Sequence, residues 1–316
     1  MSIDASVSRN GVHDDIATRS VHALDVALVG YGEVGRIFGA ALVGAGVAAV
    51  KAFDILHRDT SWAAAAEARA ANDRVVLASD VAGAVADADL IICAVTAAAT
   101  ARAARQIGAV ISRDALVLDV NSASPRTKTE CADVIDRAGG RYVEAAVMTS
   151  VPPYGIAVPM LLGGPHAAAL RPVLAKLGFK AEIGSETYGV VSAIKLCRSV
   201  VIKGMEALII ESLLGARRYG VEDQVLASLT ETFPGLDWET QASYFWRRVV
   251  QHGRRRAEEM REAAITIGDA GLTPTMSAAS ADLQAWVASL RAAGAFASAA
   301  GDAQWRELAD LIERKT

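Results

Sequence analysis

Lys195, Lys203 and Glu206 lie in a stretch of chain that is otherwise apolar on nearly every side, among Val191, Ile194, Leu196, Val200, Ile202 and Met205. Together with Ser192 and Ser199 they recur at spacings of three and four, which on an α-helix is a single face. A helix apolar almost all round should be buried, and desolvation penalises the charged form of a buried lysine and lowers its pKa. An amine poised in this way can take the proton of a hydroxyl and return it to a carbonyl. A purely structural reading stands beside this one: Lys203 pairs with Glu206, and Lys195 extends its head to water. Residue pattern alone leaves both open.

A second constellation is Gly30-Tyr31-Gly32-Glu33-Val34-Gly35, which follows the apolar run DVALV and precedes RIFGAALVGAG. A G-x-G-x-x-G is weak evidence in a chain with 26 glycines, but a strand before it and a helix after it are what the motif requires. Gly30 permits the tight turn, Gly32 lets the backbone approach a pyrophosphate, and Gly35 allows close packing. The helix N-terminus then offers unpaired N–H groups to the anion. Asp54 ends the next strand-like run, where a carboxylate accepts from ribose hydroxyls and repels a 2′-phosphate. Arg58 could instead hold that phosphate. NAD is the expected cofactor, with NADP as the alternative.

A third group lies in Arg248, His252, Arg255 and Glu259, spaced four, three and four along a helical stretch. The face suits a carboxylate or phosphate, for which guanidinium geometry is favourable. The plainer reading is a solvated face with an Arg255–Glu259 pair. The histidines make no metal set, nor do Cys93, Cys131 and Cys197, of which Cys93 and Cys197 read as small buried residues. Trp238 and Trp286 read as core.

These residues need elements to hold them. From Asp25 to about Ile183, seven Val/Ile/Leu-rich runs (25–29, 49–54, 74–78, 89–95, 115–120, 141–147 and 159–163) alternate with helix-like stretches. That is the pattern of a parallel sheet covered on both faces. Beyond Gly184 only helical patterns follow, at 187–219, 221–232, 237–270, 277–293 and 302–314. The expected fold class is α/β, a doubly wound (Rossmann) parallel sheet followed by an all-α C-terminal domain. The expected division is a disordered tail at 1–20, a nucleotide-binding domain at 21–186 and a helical substrate and dimerisation domain at 187–316.

Net charge of −4 argues against nucleic acid as the main partner, and no apolar run has the ~18 to 20 residues of a membrane helix. The polar N-terminus lacks the apolar core of a secretory signal, and widely spaced cysteines fit a reducing, cytoplasmic setting.

Taken together, the motifs resemble the β-hydroxyacid dehydrogenases, the group of 3-hydroxyisobutyrate and 6-phosphogluconate dehydrogenases, over about residues 25 to 275. The resemblance rests on the Gly30–Gly35 turn, on Asp119-Val-Asn-Ser-Ala-Ser-Pro125, on Val147 to Gly164 and on Gly189 to Ser199. It implies that Lys195 is the general acid/base, with Ser199 where the family carries asparagine. It implies that Val95 and Thr96 flank the cofactor and that Asn121, Ser122 and Ala123 hold the substrate carboxylate; Lys203, His252 and Arg255 are expected at the substrate from their own spacing. Met148-Thr149-Ser150 replaces the family's S-G-G, and Glu258 stands where its late lysine belongs. The substrate shell therefore differs. The C-terminal run Gln251 to Met260 resembles a poorly characterised phosphogluconate-dehydrogenase-like subgroup. The expectation is a homodimeric NAD(P)-dependent dehydrogenase acting on a small hydroxy acid or sugar acid, with no metal. The alternatives are an imine reductase-like enzyme and a non-catalytic nucleotide-binding protein.

Overall fold

The computed structural model describes residues 16, 18–58 and 60–314, without the side chains of 57–63, 65 and 66. Eight strands form one sheet: β1 Asp25–Val29, β2 Ala49–Phe53, β3 Val76–Leu77, β4 Leu90–Cys93, β5 Leu116–Asp119, β6 Arg141–Val147, β7 Met160–Gly163 and β8 Ala181–Ser185. The order across the sheet is β3-β2-β1-β4-β5-β6-β7-β8. Helices α1 Glu33–Gly44, α2 Thr60–Asp73, α3 Val81–Val85, α4 Thr100–Gly108, α5 Pro125–Arg137 and α6 Ala167–Lys176 fill the connections. This is the doubly wound topology, with order reversing between β1 and β4, so that a crevice opens at the carboxyl ends of those two strands.

Alternation along each strand builds two cores. Val26 and Leu28 of β1 join Leu90, Ile92, Leu116 and Leu118 under α1 and α6. Ala27 and Val29 turn the other way, to Ile91, Cys93 and Val117 under α4 and α5. Burial on both faces is why these strands read as unbroken apolar runs.

The sheet is the expected doubly wound parallel one except at a single junction. β7 runs antiparallel to β6, pairing Glu144 with Gly163 and Val147 with Met160. The segment 148–159 returns the chain directly, with no crossover helix. Of the expected tail at 1–20, Ile16 is buried in the first core and Arg19 pairs with Asp89, while residues 1–15 and 17 lie outside the described residues.

The remaining elements are helical: α7 Val190–Tyr219, α8 Glu222–Thr232, α9 Trp238–Asp269, α10 Thr275–Ala292 and α11 Trp305–Glu313. Their core gathers Ile210, Leu213, Trp246, Val249 and Trp305, all essentially inaccessible, each side chain contributing about 1.5–3 kcal/mol by leaving water. Two expected core residues are outside it: Trp286 is 38% exposed, and Cys197 is exposed on α7. No helix among the described residues is long and apolar enough to cross a membrane.

Candidate active site

The glycine turn fits a dinucleotide on three counts. Gly30 has φ of 101°, and a Cβ there would sit 2.3 Å from Ala94 O. A Cβ on Gly35 would sit 2.1 Å from Gly30 O, so the helix could not approach the turn. Gly32, by contrast, faces open space, with nothing within 4 Å of a Cβ. Gly32 also caps α1 without a side-chain hydrogen bond, which leaves the first N–H groups of the helix free for an anion.

Other expected cofactor residues take more structural roles. The Tyr31 ring is buried in the core, with its hydroxyl donating to Asp73 at 3.0 Å, so only its backbone belongs to the turn. Asp54 accepts from Tyr31 N at 2.8 Å and from Leu56 N at 3.0 Å, locking the end of β2 to the glycine turn. The Arg58 side chain lies outside the described residues. Glu33, Val34, Val95 and Thr96 line a cavity of about 570 Å³ that continues from the turn into the helical half.

The loop after β5 is organised from beneath. Lys128, on α5, reaches Asp119 Oδ1 at 2.9 Å and Asp119 O at 3.1 Å, with both side chains almost wholly buried. Asp119 also accepts from Tyr142 Oη at 2.6 Å and from Asn121 N at 2.9 Å. Asn121 in turn accepts at Oδ1 from Val95 N at 2.7 Å. Its amide oxygen is thus committed to joining two strand ends, although Asn121 and Ser122 both line the cavity. Ala123, the third residue expected to hold the substrate, is fully buried and is not among the residues that line the cavity.

Glu144, buried on β6, accepts from Gly189 N and Ser192 Oγ, each at 2.6 Å, and so caps α7 from the sheet. Burial raises its carboxyl, against the lowering effect of the Ser192 hydrogen bond. Ser192 therefore fixes where α7 starts. One turn further on, Lys195 is half-buried on the cavity wall, and its amine makes no hydrogen bond or ion pair with a described residue. Burial lowers it to about 8, partly opposed by Glu259 and reinforced by Lys203 and Lys128.

The expected Lys203–Glu206 pair is not formed. Lys203 pairs with Glu259 of α9 and lies 3.5 Å from Ser199 Oγ, while Glu206 holds Arg256 Nη1 at 2.7 Å. As the number rises on α7 it falls on α9, so the two helices are antiparallel. Burial works against the Glu259 carboxylate, yet the Lys203 and Lys195 charges bring it down to about 2. Arg255 sits 3.9 Å from Glu259, the local pair foreseen for a solvated face, and 3.7 Å from Glu33 of the glycine turn.

One stripe of α9 lies across the first half of the molecule at seven-residue steps. Arg248 donates to Ser150 Oγ at 3.3 Å, Arg255 faces Glu33, Glu262 accepts from Ser124 N at 2.7 Å, and Asp269 meets Arg126 at 3.2 Å. The cavity between carries six basic side chains (Lys195, Arg198, Lys203, Arg248, Arg255, Arg256) against three carboxylates (Glu33, Glu206, Glu259). Basic side chains thus outnumber carboxylates on its wall, despite the net negative charge of the chain. Lys128, Glu144, Arg256 and Glu262 are residues of the site to which the sequence reading gave no role, whereas Arg248 was already placed on the cationic face. Lys128 alone left a clear trace, since it occupies the same helical face as Cys131, Ala132 and Ile135.

A strand-turn-helix cradle with free amides, at the switch point of a doubly wound sheet, defines an NAD(P)-binding oxidoreductase fold. Residues 25–184 match the family profile described as the NAD binding domain of 6-phosphogluconate dehydrogenase, and 216–287 match a domain of unknown function, DUF1932. The chain belongs to the 3-hydroxyisobutyrate and 6-phosphogluconate dehydrogenase-like family, and its cofactor is NAD(P). It is similar to a conserved hypothetical protein of Sinorhizobium meliloti, at 38% identity and TM-score 0.71 over 94% of this chain and 98% of the other. A 3-hydroxyisobutyrate dehydrogenase of Mycobacterium tuberculosis, solved with L-serine, shares the fold at 21% identity and TM-score 0.67, over 92% and 99% of the two chains. A Streptomyces aurantiacus imine reductase also shares it, at 19% identity and TM-score 0.51 over 91% and 99%.

Proposed function

We propose that the chain catalyses reversible hydride transfer between NAD(P) and the carbinol carbon of a small hydroxy acid or sugar acid, with Lys195 as general acid/base. The observation that carries this reading is an unpartnered, desolvated amine on a cation-rich cavity wall that also includes the glycine turn and the ends of β1, β4 and β5. A nicotinamide bound there accepts or supplies the hydride.

The remaining roles fall to the chain itself. Neutral Lys195 takes the hydroxyl proton in oxidation, and its ammonium form returns that proton in reduction. Ser199, tied to Lys203, and Lys203, tied to Glu259, hold that wall in register. The Ser122 hydroxyl and the amide of Asn121 meet the substrate carboxylate. Arg255 and His252 close the other side. Asp54 supports NAD over NADP, because a 2′-phosphate beside its carboxylate is repelled. Ile194, Val201 and Leu208, exposed along one side of α7, support a homodimer. Three unpaired cysteines suit a reducing compartment such as the cytoplasm.

The test is NAD⁺ and NADP⁺ reduction across a panel of hydroxy acids and sugar acids, with ketone-plus-amine mixtures as a parallel arm. Turnover on a hydroxy acid that collapses in Lys195→Ala is the expected result. Turnover confined to the amine arm makes the chain an imine reductase, and cofactor binding without turnover in either arm makes it a nucleotide-binding protein. Unchanged turnover in Lys195→Ala overturns the mechanism.

A further inference from the structure

We propose that the end of the cavity under α9 is a receptor for a doubly charged oxyanion group, gripped by Arg248 and Arg256, and that His252 takes up a proton from solvent when the group binds. The inference rests on the reading of this cavity as the site of an acidic substrate. It adds a second anionic end, remote from the carbon next to Lys195.

Hydrogen bonding provides the first ground. Arg248 Nε and Arg256 Nε are both buried and have no hydrogen-bond partner. Arg256 is only 5% exposed, so no bulk water relieves it. A buried donor left unmade costs about 1–3 kcal/mol, and more when charged, so these two guanidinium groups, both lining the cavity, are under-paired. Glu206 makes an ion pair with Arg256 but its Oε2 accepts no well-aligned hydrogen bond, and Arg248 rests on the neutral Ser150 hydroxyl. Among the described residues, no carboxylate forms an ion pair with Arg248. A ligand carrying several oxygens on one centre supplies acceptors to both guanidinium groups at once.

His252 provides the second. It lies one turn from both arginines, lines the same cavity, and makes no hydrogen bond to a described residue. Four guanidinium groups bear on its ring: Arg255, Arg248 and Arg256 from α9, and Arg291 from α10, whose Nη1 sits on Val250 O and Gln251 O. From α7 comes Glu206, already held by Arg256, and the 148–159 segment offers Ser150 without charge. Burial and these cations lower the ring to about 4, so it enters the free site neutral. A dianion placed among the cations removes that repulsion. The ring then gains a proton, its acceptor nitrogen becomes a donor, and a third charged hydrogen bond closes on the ligand.

Sulfate is the appropriate probe, because its charge stays fixed across the pH range in which histidine titrates. Sulfate is titrated calorimetrically into the full chain saturated with NADH, so that the glycine turn is filled, in buffers of differing ionisation enthalpy from pH 5 to 8. If binding returns His252 from about 4 to its ordinary 6.5, affinity at pH 5 is about 30-fold that at pH 8. Proton uptake should vanish in His252→Gln, binding should weaken at least ~10-fold in Arg248→Met, and the His252 resonance should titrate higher with sulfate present. Absence of sulfate binding, pH-independent binding, or undiminished binding in Arg248→Met overturns the proposal. None of these readouts needs turnover. A flat sulfate response with hydroxy acid turnover intact removes only the receptor, and the reverse pattern removes only the dehydrogenase reading.

Discussion

Replacing Lys195 with methionine should damage activity and improve stability, because the electrostatics that make the amine useful also make it costly. Burial first, then the Lys203 and Lys128 charges, bring the amine from 10.5 to about 8 against the pull of Glu259. At pH 7.5 about one amine in four is then neutral, against about one in a thousand for an ordinary lysine. The site thus holds roughly 200-fold more of the base. The same displacement corresponds to about 3 kcal/mol, an upper figure because the amine opens onto the cavity. Its folded pKa lies below the unfolded one, so the penalty is complete below about pH 8 and is gone as pH rises past 10.5. Methionine fills similar space without charge. Urea denaturation at pH 7 should show Lys195→Met more stable by up to ~3 kcal/mol, with the gain shrinking as pH approaches 10.5. Its kcat should fall by about 10² to 10⁴. In the parent enzyme, oxidation should rise through pH 8 to a plateau while reduction declines over the same interval. A variant that is less stable at pH 7 yet turns over within about threefold of the parent would show Lys195 to be a structural cation.

Further outcomes follow from other contacts. Gly32→Ala should leave thermal stability nearly unchanged while weakening NAD(H) binding at least ~10-fold, because its Cβ meets only the cofactor's space. Gly35→Ala should lower the melting temperature as well, since its Cβ strikes Gly30 O. Lys128→Met leaves Asp119 buried without its counter-charge and should cost about 3–5 kcal/mol in a denaturant titration. Asp54→Ala should shift the ratio of kcat/KM values for NAD and NADP toward NADP and lower the stability of the glycine turn, whose Tyr31 N–H it satisfies.

Seven of the eight strands were legible, most of them because burial on both faces leaves an unbroken apolar run, and the edge strand β3 from its Val-Val-Leu sequence even though Val76 is exposed. β8 was not, since Glu182, Ile183 and Gly184 at the sheet edge are exposed and carry no such run. The direction of β7 was also hidden, because MLLG reads the same whether its neighbour runs with it or against it. Within the site, Gly30–Gly35 stood out by local spacing, whereas the spacing around Lys195 left a structural reading open and only the family resemblance weighed against it. The partners of Lys203 and Glu206 did not stand out, because they depend on how α7 and α9 slide past each other, which neither helix's sequence contains alone. Sequence proximity favoured Lys203 with Glu206, and packing chose Glu259 and Arg256 instead. Cys197 and Trp286 were misread for a related reason: apolar residues on a long helix mark a core only if something covers that side.

The seven-residue rhythm of contacts along α9 makes that helix a measuring rod. Each step advances about 10 Å, so its four anchors span about 30 Å of contact with the nucleotide-binding half, of which Arg248 and Arg255 border the cavity. Exchanging side chains between the anchors would reset the length and charge of molecule admitted while the nucleotide half stays untouched. Inserting or deleting a single residue would rotate every later anchor by about 100° and release that contact altogether. Substrate range in such a scaffold can therefore diverge by point substitution, but the length of this rod is held rigidly.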